Sequence, residues 1–344
     1  MLYSLKLYPN TIWGSPFAGD FSKLISELVR LNIHSITVPV FQGSRVFYPT
    51  EGDIENSDWD LNQFKEACHE NEIAFIPEFP VFHDPDTYES VPQYRPVSLK
   101  GEKEFPSDWY KPICPSNEPY RNYRMQLIRE AIKIFDPVLI SLEFLHYPYL
   151  PDIQAFDQDG TALPNYCYCD FCRYQFLDYS GKPNPLEAIE DWFLFRAENV
   201  TLIPILIAEE FEKTGRDSKI IVQIPPVSPP HVLEKLRRST GQYVQQWRGL
   251  VEIISPQFHL FQFGLSLQWI REVMNEFKQL DNLRIIPEID LPTKADPDEL
   301  ARLREVLTYF GEQQCEVISL FHAGPLLQDE SLQELLAAFQ DSPK

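Results

Sequence analysis

Residues Pro137 to Cys172 read PVLISLEFLHYPYLPDIQAFDQDGTALPNYCYCDFC: an apolar strand that ends in an acid, then three cysteines packed into six positions. Val138 to Phe144 has the β-branched and aromatic content of a buried strand, yet it carries Glu143 at its carboxyl end. The closing C-x-C-x-x-C gathers three soft ligands in one short segment. The fold turns on whether these two pieces sit side by side at the mouth of a barrel.

Around this stretch the pattern alternates strand and helix with little interruption, as a parallel sheet requires. Upstream, strands are expected at Tyr3 to Leu7, Ile33 to Val40 and Ile73 to Phe79. Helices are expected at Gly19 to Leu31, Leu61 to Glu70 and Tyr120 to Phe135, with Asp20 and Asp60 as caps of the first two. Downstream, strands are expected at Lys219 to Ile224, from Leu250 to between Ile254 and Phe258, at Leu283 to Ile289 and at Glu316 to Phe321. A long helix over Pro185 to Lys213 should bend or break at Pro204. Further helices are expected at His231 to Trp247, interrupted near Gly241, at Ser266 to Leu280, from about Asp298, and at Ser331 to Phe339.

Eight strands each followed by a helix make a single-domain (β/α)8 TIM barrel over residues 1–344, with long loops after strands three and four. The chain's 13 glycines include no Gly-rich turn after strand one, which argues against a doubly wound nucleotide-binding sheet. The motifs FIPEF, VQIPPV, ISPQF and IIPEI put Pro at or near strand ends, where pairing should stop.

Composition narrows the function. Among 344 residues, 30 Lys and Arg face 51 Asp and Glu, a formal charge of -21 that disfavours nucleic acid and anionic membranes as partners. No stretch has a spanning helix's length of apolar residues, and MLYSLKLYPN reads as a first strand, not a signal peptide, so a cytoplasmic protein is expected. In that compartment six cysteines suggest metal binding before disulfides.

Barrel enzymes place catalytic groups at the carboxyl ends of strands. Glu78, Glu143, Glu288 and Asp290 fall there, with His83, His146, His259 and His322 just beyond strands three, four, six and eight. Glu143 and Glu288 lie on strands four and seven, across the barrel from each other. Two carboxyls about 5 to 5.5 Å apart suit a retaining glycosidase, one protonating the leaving oxygen and one attacking the sugar carbon. The bland alternative is that strand-end acids form ion pairs or cap helices. Trp13, Trp59, Trp109, Tyr110 and Tyr147 offer faces for sugar stacking, or simply core. Glu78, Trp109, His146, His259, Asp290 and His322 complete the candidate substrate-binding set.

Cys167, Cys169 and Cys172 place three thiolates around one ion, and thiolate-rich tetrahedral sites favour zinc. Cys114, in KPICPSNEPYR ahead of a helix that packs beside strand four, is the best fourth ligand. Cys68 and Cys315 read as small buried apolar residues.

CPSNEPYR, then a helix, an acid-ended strand and YCYCDFCRYQF, resembles the clan A (β/α)8 glycoside hydrolases, particularly the zinc-containing family 42 β-galactosidases and related barrel proteins. The resemblance is specific over residues 112–180 and architectural elsewhere. It implies a structural zinc on Cys114, Cys167, Cys169 and Cys172 beside the active site. It also implies an acid/base at Glu143, a nucleophile at Glu288 and a small carbohydrate as substrate. Leu142 stands where the family has the Asn that binds the sugar 2-hydroxyl, and counterparts of the family's trimerisation and C-terminal domains are not expected within these residues. Two other readings remain: a barrel that binds carbohydrate or protein without catalysis, stapled by zinc, and a different barrel chemistry using Glu78, Glu288 and Asp290 around a metal or a carbonyl substrate. The sequence leaves the oligomeric state open.

Overall fold

The computed structural model describes residues 1–50, 59–151, 165–280, 283–294 and 296–340. Residue Gly52 of the loop after strand two, and residues 152–164 of the expected zinc region, lie outside the described residues.

Eight parallel strands close into a barrel: β1 (Leu2–Lys6), β2 (Ile33–Pro39), β3 (Ala74–Pro80), β4 (Leu139–Glu143), β5 (Lys219–Ile224), β6 (Ile253–Phe258), β7 (Glu288–Asp290) and β8 (Val317–Phe321). Each pairs with the next in order, β8 pairs with β1, and β6 pairs with β7 through Glu288↔Gln257 to complete the ring. The expected (β/α)8 architecture is therefore present.

The outer helices are amphipathic, and the sequence signals that begin them act as expected. The Asp20 side chain accepts from the Lys23 amide to start α1 (Phe21–Arg30), and Asp60 accepts from the Asn62 amide to start α2 (Leu61–Glu70). Leu24, Ile25 and Leu28 of α1 bury toward the sheet. α3 (Glu118–Phe135) is capped by Asn117, with Pro119 in its first turn, where no amide donor is missed. α4 (Asp170–Ser180) follows the cysteine motif, and α5 (Ile189–Thr214), α6 (Leu267–Phe277), α7 (Pro297–Glu312) and α8 (Glu330–Gln340) complete the outer layer.

Some boundaries differ from expectation. α5 runs through Pro204 as one helix of 26 residues, its first expected turn being a separate 3-10 turn at Pro185–Glu187. Pro204 is buried, so packing of the surrounding apolar face outweighs the lost amide bond. The expected helix at His231 to Trp247 is instead a short helix at Val232–Lys235 that widens to a π turn and ends at Gly241, whose φ of 78° suits glycine. Strand seven splits into Arg284–Ile285 and β7 around Pro287. Pro77 does not end pairing, since it sits opposite Val38 with neighbours on both sides continuing the ladder, whereas Pro256 is the last residue of its strand to pair with β5, opposite Ile224. One missing donor interrupts one bond and not the strand.

Inside the barrel Ile76, Ile221 and Ile253 form a small apolar cluster distinct from the main core between sheet and helices. Hydroxyls of Ser4, Thr37, Ser141, Ser255 and Ser319 accompany it. Above this layer, toward the carboxyl ends, the interior becomes charged.

Candidate active site and cysteine centre

The charged layer is organised by a residue the sequence reading passed over. Lys6, the last residue of β1, is fully buried, with its Nζ 3.0 Å from Glu78 Oε1 and 2.5 Å from Glu143 Oε1. Register staggers these residues along the strand ends, Lys6 opposite Thr37 on β2, Pro39 opposite Glu78 on β3 and Pro80 opposite Glu143 on β4, and the closed barrel brings the three side chains together in its interior. Burial works against the ammonium, but Glu143 and Glu78 outweigh it and hold Lys6 well above its ordinary pKa. Burial, reinforced by the Glu143 charge, pushes Glu78 well above the usual carboxyl range despite Lys6. A lysine inside the apolar strand LYSLK was the signal that could have located it, since an unpaired ammonium there is prohibitively costly.

Glu288 belongs to the same layer. It is 1% exposed, with Gln257 donating to Oε1 at 3.2 Å and Ser319 to Oε2 at 3.3 Å. Ser141 donates to Glu78 at 3.3 Å and receives a bond from Gln223 at 3.2 Å. Asp290 sits behind the wall, its carboxylate accepting from the Phe261 and Gln262 amides and so fixing the loop after β6. Glu78 likewise lies beneath the cavity and does not line it.

Over this layer opens a cavity of about 360 Å³. Glu143, Gln223 and Gln257 contribute polar groups to it, and Tyr8, Trp109, Tyr110, Phe144, Tyr149 and Phe321 give it aromatic walls. Trp109 stands at the lip, 62% exposed. His146, His259 and His322 all face the same space. The His146 ring is buried and pairs with the Tyr147 carbonyl at 2.7 Å, and desolvation lowers its pKa to about 4. His83 packs behind Phe144 and is likewise lowered to about 4 by burial. Trp13 and Trp59 stack on each other at 5.1 Å and Tyr147 turns toward the cysteines, so these three aromatics do not line the cavity.

Two strand ends carry backbone strain. Phe144, next to Glu143, has φ of 51°, and His322, next after β8, has φ of 67°. Neither is glycine, and such left-handed residues concentrate where a chain is bent to present a side chain.

Beside this site Cys114, Cys167, Cys169 and Cys172 come together, all four buried, with their sulfurs within 4.8 Å of one another. A tetrahedron with metal–sulfur bonds of about 2.3 Å has edges of about 3.8 Å, so the four sulfurs fit a single ion. Cys114 precedes α3, while Cys169 and Cys172 flank the start of α4, so an ion here would tie two outer helices together. The Val97 amide donates to Cys167 Sγ at 3.3 Å, and Ser116 Oγ lies 3.4 Å from Cys172 Sγ. Ser116 in turn bonds the Tyr147 hydroxyl at 2.6 Å, so the centre grips the residue after His146. Cys68 is buried and Cys315 partly buried, both apart from the cluster.

No family model matches the chain, and no curated protein matches its sequence. Its architecture has many solved counterparts. The PgaB (BpsB) glycoside hydrolase domain from Bordetella bronchiseptica superposes with a TM-score of 0.75 over 100% of both chains at 10% identity. The fold is that of the glycoside hydrolase barrels. The β-galactosidase from the psychrophilic Marinomonas ef1 matches 99% of this chain with a TM-score of 0.68 and 12% identity, and the chain spans 59% of that enzyme. The α-L-fucosidase isoenzyme 2 from Paenibacillus thiaminolyticus gives 0.65 at 17% identity, covering 99% of this chain and 49% of that one. Among the described residues no helix is long and apolar enough to cross a membrane.

Proposed function

We propose that this barrel hydrolyses a small glycoside with retention, with Glu143 as acid/base and Glu288 as nucleophile. The observation that carries the reading is the buried carboxylate–lysine layer directly beneath an aromatic cavity at the carboxyl ends of the strands. Aromatic faces accept sugar C–H groups, while Gln223 and Gln257 supply donors and acceptors for hydroxyls. Glu143 borders the cavity and so reaches a leaving oxygen. The Lys6 ammonium in contact with it stabilises the carboxylate form, which Glu143 needs when it acts as base in the second half of the reaction. For Glu288 to attack, a bound sugar must displace the Gln257 amide, which now covers Oε1. Lys6 occupies Glu78, and the Phe261 and Gln262 amides occupy Asp290, which weighs against a metal-centred chemistry on Glu78, Glu288 and Asp290.

The reading includes one structural zinc per chain on the four cysteines, whose thiolate set suits that ion. The ion would lock α3 to α4 and hold Tyr147, and with it the cavity wall. A second reading has an observation of its own. Because Glu288 is covered by Gln257 and Ser319, the cavity also fits a barrel that binds a sugar without cleaving it.

A panel of aryl glycosides decides. Wild type should release the aryl alcohol from at least one member, and Glu143→Gln and Glu288→Gln should each lose about a thousandfold or more. If no member is cleaved while a simple sugar raises the melting temperature, the binding reading replaces the hydrolytic one.

A further inference from the structure

Two arginines are buried beside the cysteine segments with no acid in ion-pair contact among the described residues. Arg196, on α5, is fully buried. It donates to the carbonyls of Tyr166 and Ser239 at 2.9 Å each, and to that of Arg238, while its guanidinium lies 4.3 Å from the Tyr147 ring centroid. Arg121, on α3, is 8% exposed and donates to the Pro115 carbonyl at 2.6 Å and to the Asn199 side chain at 2.9 Å. These partners are carbonyls and an amide, which satisfy hydrogen bonds but not charge. Glu118, one turn back on α3, is exposed and acts on Arg121 only at longer range. Arginine stays ionised in proteins, so two buried positive charges here demand negative ones close by. Two other buried cations have theirs: Arg124 meets Asp84 at 2.7 Å, and Lys6 has two glutamates.

Both arginines are held at the backbone of the cysteine segments: Arg121 donates to the Pro115 carbonyl next to Cys114, and Arg196 to the Tyr166 carbonyl next to Cys167. The cysteines are among the groups that act on them, alongside Tyr147, with Glu118 also acting on Arg121 and Tyr168 on Arg196. Four thiolates around a divalent cation carry a net charge of two minus, which two guanidinium groups cancel. Four thiols, or two disulfides, would carry none and leave both arginines uncompensated. We infer that Arg121 and Arg196 are the counter-ions of a dianionic tetrathiolate centre, so that the pocket is electrostatically matched to a divalent ion. The inference rests on the reading of the cysteines as a metal site and adds to it the ion's charge and the residues that set its affinity.

The test is metal affinity by chelator competition on the full chain, for wild type, Arg196→Met, Arg196→Lys and Arg121→Met. Both methionine variants should bind zinc about 10- to 100-fold more weakly, the range for groups that support ligands from outside, and Arg196→Lys should recover most of the loss. Arg121→Met supplies the comparison should Arg196→Met fail to fold, since Arg196 also holds three carbonyls. A second readout separates charge from packing. With iron in the site, removing either arginine should lower the reduction potential, because positive charge favours the more negative reduced centre. Zinc affinity within twofold of wild type in the methionine variants, a lysine variant as weak as methionine, or an unmoved potential would overturn the inference. Wild-type protein that takes up no metal would instead reject the metal site itself.

Discussion

The barrel mouth and the cysteine centre are neighbours that solve the same problem, charge out of water, in opposite ways. At the mouth one lysine serves several carboxylates: Lys6 touches Glu78 and Glu143, and Glu288 acts on it from further away. Negative charge is in excess there, so protonation must make up the balance, and Glu78 is pushed up accordingly. At the cysteines, on the proposed reading, two arginines and a bound ion would supply the balance. A layer that must hold a proton to stay neutral is suited to moving one, whereas a centre neutral by fixed charges is suited to holding structure. The proposed function assigns chemistry to the first region and rigidity to the second, and the link between them is Tyr147, bonded to Ser116 beside the cysteines and adjacent to His146 in the cavity wall.

Breaking the rigid half should have the largest effect. Structural zinc sites bind with about 10 to 16 kcal/mol of apparent free energy, much of it expressed as folding stability. Metal analysis should find approximately one zinc per chain in wild type and none in Cys169→Ser, with a clear fall in the variant's melting temperature. Equal metal content and melting temperature in variant and wild type would remove the distinction drawn here.

Breaking the charged layer should cost less and depend on pH. Lys6→Met leaves Glu78 and Glu143 facing each other without a cation, a loss of about 3 to 5 kcal/mol for one partner of a buried pair at neutral pH. The sign follows from proton uptake. With the cation gone the acids hold their protons more tightly folded than unfolded, so acidification through the raised carboxyl pKa should return part of the lost stability. In wild type the Lys6 contribution, from a folded pKa above the unfolded one, persists below about pH 10.4 and is lost as pH rises through the folded value. Denaturant melts of both proteins at several pH values check this, and a pH-independent deficit would contradict it.

The smallest effect belongs to the wall between the two regions. His146 is buried neutral with a pKa near 4, below the unfolded value, so the unfolded chain binds the extra proton first. Stability should fall as pH drops from about 6.5 toward 4, and His146→Gln should flatten that slope. An unchanged slope would place the acid sensitivity elsewhere, with His83 the next to test.

Much of this architecture was legible in the sequence because its signals are local. Asp20 and Asp60 cap where a cap was expected, and the strand starting at Ile33 and the helix at Leu61 appear where periodicity put them. The four cysteines meet as their spacing and the family resemblance implied. What could not be read depended on the ring of strands as a whole. Lys6 looked like one charge in an apolar strand, and only closure of the barrel through β8 and β1 brings it between two acids from β3 and β4. Arg196 is 29 residues beyond Cys167 on a different helix, invisible to any motif. Pro204 does not break its helix, because the buried face of α5 holds it together where propensity alone argues against proline.

The central claim is that the carboxylate layer is catalytic, with Glu288 the nucleophile. The most direct measurement is hydrolysis of the best aryl glycoside by Glu288→Ala with and without azide, in protein whose metal content matches wild type. The account predicts a loss of about a thousandfold or more, partly restored by azide with formation of the glycosyl azide of inverted configuration. Activity within about tenfold of wild type, with no response to azide, would contradict it.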